Sequence, residues 1–165
     1  MYGQTLRNML IVAVFSATSF VFSYIKFGIL GSIALDSFSG YFVAGYFNPL
    51  LGGIVSFAGH CLSALSGGTP LGYMHILIGG MQFVCAFIFG FIPKAFNNIK
   101  LFFVSGILAT IINGVGCPVL VGLISQDPNV KATMTGLIPF LSLASAVNIA
   151  LAIGLIFFIR YLRKN

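Results

Sequence analysis

Charge is what this sequence has least of. Only 6% of its 165 residues are charged: two acids, Asp36 and Asp127, and eight lysines and arginines, with no glutamate at all. A soluble domain carries about a quarter charged residues, and a surface this poor in charge does not stay dispersed in water. The net charge of +6 is thin and dispersed, which argues against a nucleic-acid partner. Cysteine is scarce too. Cys61, Cys85 and Cys117 stand singly inside apolar runs with no CxxC spacing, so they read as small core residues rather than disulfides or metal ligands. Also missing are an acidic pair, HExxH, GxSxG and a nucleotide-binding glycine loop. Phosphoryl transfer, metal hydrolysis and glycoside cleavage thus lack their usual residues, and the chain is not expected to be an enzyme. The buried acid that proton-coupled carriers commonly use is missing as well, so any transport would draw its energy from elsewhere.

What is abundant is apolar. Hydrophobic residues make up 59% and aromatics 15%, with a mean hydropathy of +1.09. The solvent is lipid. A spanning helix takes about 20 residues, so six use roughly 120 and leave short loops. The long continuous runs exclude a β-barrel, whose strands alternate. The expected fold is all-α: one domain, 1–165, of six transmembrane helices. Runs and punctuation set them at about 6–25, 34–48, 50–66, 71–93, 100–124 and 136–160. Asn48-Pro49, Gly67-Gly68-Thr69-Pro70, Pro93 and Gln126-Asp127-Pro128-Asn129 are read as stops. The first run is too long for a typical signal-peptide core and is expected to be retained.

Six spans put Arg7, Lys94, Lys100, Arg160, Arg163 and Lys164 on one side, and Lys26 and Lys131 on the other. The positive-inside rule then places both termini in the cytoplasm. Three outer loops follow: 26–35, 66–74 and 125–135.

Polar groups in hydrocarbon should face the bundle interior, and here they recur at helical spacing. Ser56, Gly59, His60 and Ser63 form one stripe, His75, Gly79 and Gln82 a second, Thr110 and Asn113 a third, and Ser142, Ser145 and Asn148 a fourth. Small and hydroxyl residues on such stripes pack helices closely. Two histidines and three amides in so small a bundle point further, to a polar cavity. His60 falls about 9 Å below the outer end of its helix, so the cavity would open outward; the other reading of His60 is a satisfied hydrogen bond between helices. Asp36 reads either as the N-cap of the second helix or as an acceptor for ligand hydroxyls. Asp127 reads as an ordinary loop turn. On the first helix Ala13 and Ala17, with Ser16 and Ser19 nearby, form a small-xxx-small groove that fits another helix.

Six short spans, this length and the Ala13-xxx-Ala17 pair together resemble a substrate-binding S component of an energy-coupling-factor (ECF) vitamin transporter. The resemblance implies a prokaryotic cell membrane, and a T component docking at Ala13 and Ala17. It also implies two ATPases that use ATP on the chain's behalf, no cofactor or metal of its own, and a vitamin held near the outer face. A narrower resemblance rests on Ile33-Ala34-Leu35-Asp36-Ser37, on Gly59-His60-Cys61-Leu62-Ser63, and on Gly67-Gly68-Thr69-Pro70-Leu71 with His75. It is to S components for α-ribazole, the nucleoside of the lower ligand of cobalamin. Phe38, Tyr41, Tyr73 and Phe140 offer walls for its flat base, and Asp36, His60 and Asn148 acceptors for its ribose. Ser37, Ser63, His75, Gln82 and Asn113 complete the expected site. The scarcity of outer cations argues for a neutral nucleoside over a polyanion. Thiamine, riboflavin, folate and a queuosine precursor stay open as substrates. A self-sufficient carrier or channel stays open as another class, as does a membrane scaffold without a ligand.

Overall fold

A computed structural model describes residues 2–27, 33–66 and 71–165. Helix α1 is Tyr2–Phe22. Two-residue strands β1 (Lys26–Phe27) and β2 (Ile33–Ala34) pair antiparallel, and helices α2 (Phe38–Tyr46), α3 (Pro49–Ser66) and α4 (Met74–Ala95) follow. Helices α5 (Leu101–Ile111) and α6 (Cys117–Ile124) are joined by a π-helical turn, Ile112–Gly116, into one continuous rod. Helix α7, Pro128–Leu162, closes the chain's path.

Five of these segments are long and apolar enough to cross a membrane: α1, α3, α4, the α5–α6 rod and α7. The expected second span is the exception. Helix α2 has nine residues, about 13 Å at 1.5 Å each, or half the hydrocarbon thickness of about 30 Å. It is apolar on every side and buried from Ser39 to Gly45, as a helix inside a bundle must be. Close approach makes this possible. Ala44 is wedged between α3 and α4, where a Cβ on Gly52 or Gly90 would overlap its backbone. Asn48 then starts α3: its Oδ1 accepts from Leu50 N at 2.8 Å, with Pro49 pre-set for the first helical position.

Two expected stops behave differently from the reading of the sequence. Helix α4 runs through Pro93 to Ala95. Proline has no N–H to give the carbonyl four residues back, and Ser105 supplies the missing donor, its Oγ reaching the Phe89 carbonyl at 3.0 Å. The third expected loop, 125–135, shrinks to 125–127. Asp127 caps α7 by accepting from Asn129 N at 2.8 Å, and Pro128 again suits the first turn. A turn signal in the sequence is here a helix start. Asp36, by contrast, is not an N-cap. Helix α2 begins one residue later, with Ser37 in the capping position and no side-chain cap bond.

The main core gathers around α2, where Tyr41, Val43, Val55, Phe89, Phe102 and Ile156 are almost fully buried. Both ends of the chain lie at one end of the bundle: Arg7, Asn48, Arg160 and Arg163 line one cleft there, and Lys94, Asn98 and Arg160 line the next. The β1–β2 pair, the start of α4 and the α6–α7 turn lie toward the other.

Candidate functional site

Toward that other end, a cavity of about 220 Å³ sits between α3, α4, the π turn and α7, under the segment from β2 to α2. Asn148 ties the segment down. Its Nδ2 donates to the Ala34 carbonyl at 2.8 Å and to the Ala144 carbonyl at 2.9 Å. Two carbonyl neighbours demand the nitrogen on that side, which orients the amide. Its Oδ1 is thereby left buried without a partner. Ser37 and Asp36 follow on the same segment, the Ser37 hydroxyl donating to Asp36 Oδ1 at 3.0 Å.

His60 on α3 and His75 on α4 meet across the cavity wall, His60 Nε2 and His75 Nδ1 being 3.3 Å apart. One ring must donate and the other accept, so the pair shares one proton between the facing nitrogens. His75 Nε2 then has no partner, and neither has Gln82 Oε1 on α4. Asn113 reaches the cavity from the π turn. Pro118 removes the donor that the Gly114 carbonyl would use, and the turn before it widens to an i→i−5 bond from Cys117 N to the Ile112 carbonyl.

Seven of the eleven residues expected to bind therefore line one cavity: Asp36, Ser37, His60, His75, Gln82, Asn113 and Asn148. Phe38, Tyr41, Ser63 and Tyr73 do not. Phe38 stacks on Phe42 at 6.4 Å and lies 6.0 Å from Phe22. Tyr41 is fully buried, edge-on to Phe89 at 5.4 Å, and Tyr73 is exposed. Phe140 is also absent from the lining. The walls are aliphatic instead: Leu71, Ile78, Met134, Leu137 and Leu141. Residues 134, 137 and 141 share a face of α7 because that helix starts at Pro128, whereas Phe140 is turned about 100° from Leu141. Met134 and Leu137 are wall residues that the reading of the sequence misses. The Asp127-Pro128 cap signature is the clue to them. Ser145 reads in the sequence only as part of a packing stripe.

Among the described residues no lysine or arginine lines the cavity, and Asp36 is the one carboxylate there. Among the described residues no three His, Cys, Asp or Glu side chains cluster as metal ligands, and the three cysteines are free. The parts of the outer loops at 28–32 and 67–70, and Gly67 of the α3 stripe, lie outside the described residues. On α1, Ser16 and Ser19 are buried while Ala13 and Ala17 are exposed on the outward face. A Cβ on Gly59 would meet Ser19, so α1 and α3 lie close there.

Among solved structures the chain is similar to the S component of a bacterial ECF transporter, with a TM-score of 0.70. The match spans 98% of this chain and 99% of that one at 20% identity. The chain has that component's fold. No family model and no curated protein matches the sequence. At this identity the similarity speaks for architecture, and function has to be argued from the cavity.

Proposed function

We propose that this protein is the substrate-binding S component of an ECF-type importer in a prokaryotic cell membrane, with both termini cytoplasmic. One observation carries the reading. Asp36, His60, His75, Gln82, Asn113 and Asn148, brought from the segment before α2, from α3, α4, the π turn and α7, line one cavity with aliphatic walls. A ligand with hydroxyl or N–H groups finds amide, imidazole and carboxylate partners on such a lining. The fold supports the same assignment.

The lining selects the chemistry. Amide and imidazole acceptors suit sugar hydroxyls, and the aliphatic walls of Ile78, Leu137 and Leu141 suit a flat ring. With no lysine or arginine among the described lining residues, a phosphate or folate tail would be unpaired. At about 220 Å³ the cavity lies below the ~300–1,000 Å³ usual for drug-sized ligands, which favours a small ligand. α-Ribazole is the substrate we propose. The chain captures it at the outer face, and a T component docked on Ala13 and Ala17, driven by two ATPases, carries the site inward.

The test is calorimetric titration of the detergent-purified chain with α-ribazole, riboflavin, thiamine, folate and a queuosine precursor. Tight binding of α-ribazole alone is expected. Tight binding of another compound overturns the substrate but keeps the class. Silence across the panel, with solute flux from this chain alone in liposomes, overturns the class.

A further inference from the structure

The end of the bundle that carries both termini holds cations that no carboxylate side chain neutralises. A cleft of about 690 Å³ lies between the α4–α5 turn and the last turns of α7, lined by Lys94, Asn97, Asn98, Arg160, Arg163 and Lys164. The chain's two acids are elsewhere: Asp36 lines the opposite cavity and Asp127 caps the start of α7. Three of the cations are held in place. Arg160 lies over the Phe102 ring at 5.7 Å, and Arg163 over Tyr46 at 5.4 Å. The Lys94 ammonium donates to the Phe47 carbonyl at 2.9 Å. These contacts position the charges without cancelling them, and each cation keeps donors to spare. Four like charges around one cleft repel, so the arrangement is suited to an anion.

The cleft does not end at the polar residues. A second, apolar groove of about 590 Å³ runs between α5 and α7. Small residues form its floor, Gly106, Ala146, Ala150 and Gly154 among them, and Phe157 lines both it and the cationic cleft. Nothing stands within 4 Å of where a Gly154 Cβ would be, so the groove is open at that point. Along α7 it extends from Ala146 to Phe157, about 16 Å. One leaflet of hydrocarbon is about 15 Å deep.

We infer that cleft and groove together form a binding site for one anionic glycerophospholipid. The phosphate sits among Lys94, Arg160, Arg163 and Lys164, and an acyl chain lies along α5 and α7 past Phe157. A free phosphate would need only the cleft. The groove's sharing of Phe157 with the cleft, and its length of about one leaflet, select the lipid. The site lies at the opposite end of the bundle from the cavity proposed for substrate, and it does not depend on that assignment.

Native mass spectrometry of the detergent-purified chain tests this, with phosphatidylglycerol and phosphatidylcholine offered in parallel. One phosphatidylglycerol per chain is expected to be retained, at least about tenfold in preference to phosphatidylcholine, since each cation near a headgroup adds to the attraction. The pair Lys94→Gln/Arg160→Gln should lose that preference. Arg163→Gln/Lys164→Gln provides the same reading if the first pair does not fold, as judged by helical circular dichroism and a single elution peak. Gly154→Leu fills the groove and should lose both lipids, whereas Gly80→Leu, a like change on α4 where nothing stands within 4 Å, should lose neither. Equal retention of both lipids overturns the inference. So does full displacement by inorganic phosphate, which would make this a free-anion site. Unchanged phosphatidylglycerol retention in Gly154→Leu overturns it too, as would a dimer of the chain that Gly154→Leu dissociates.

Discussion

Gln82→Met separates a ligand-binding amide from one that merely packs. Gln82 is 8% exposed, and its Oε1 has no partner. An unpaired buried acceptor costs about 1–3 kcal/mol. Inside membrane bundles measured hydrogen-bond energies run lower, averaging ~0.6 and reaching ~1.7 kcal/mol, so about 1 kcal/mol is the working figure. Methionine has similar length and volume and needs no donor. The empty variant should therefore be more stable by about 1 kcal/mol. The liganded one loses a bond of about the same worth, which is roughly a fivefold rise in Kd. Two assays read the two signs: unfolding of the empty protein in a mixed-detergent titration, and calorimetry with α-ribazole or whichever compound the panel identifies. A stabilised apo protein that binds more weakly is expected. Lower apo stability would mean that the amide has a partner within the fold, and unchanged affinity would remove it from the ligand. Either result refutes the reasoning.

Asn148→Leu should free the Ala34 carbonyl, speed amide hydrogen exchange across 34–37 and lower ligand affinity at least about tenfold, because both anchor and acceptor are lost. Ser105→Ala should destabilise by about 1 kcal/mol in the native chain, yet by about half that in a Pro93→Ala background, where the alanine's backbone N–H can satisfy the Phe89 carbonyl. Additive costs in that double-mutant cycle would break the link between the two residues. Asp127→Ala should cost about 1 kcal/mol, visible as faster exchange at Asn129 to Lys131. Finally, Ala13→Trp or Ala17→Trp should abolish uptake by the complete transporter while leaving ligand binding by the isolated chain intact. Normal uptake would move the docking face off α1.

Much of the cavity's polar lining was legible in the sequence. Histidines and amides are uncommon inside spans, and His60, His75, Gln82, Asn113 and Asn148 do converge on one cavity. The aromatic walls were not legible. In lipid an apolar side chain gains nothing special from facing protein rather than acyl chains. Hydropathy therefore could not tell Phe38 and Tyr41, in the core, or Tyr73, at the surface, from a true wall residue such as Leu137.

The sequence by itself determined the solvent and the class of fold, because ten charged residues cannot clothe a soluble surface and continuous apolar runs long enough to span must be helical. Tertiary structure alone decided the rest. That α2 suffices at nine residues depends on Gly52 and Gly90 admitting Ala44 from two other helices. That Pro93 is tolerated depends on Ser105, twelve positions on. That Asn148 Oδ1 is left without a partner depends on where its amide nitrogen ties the β2 segment, 114 residues away in sequence. Run length and periodicity report what each segment does with its own backbone, whereas partners supplied by distant helices exist only once those helices have packed.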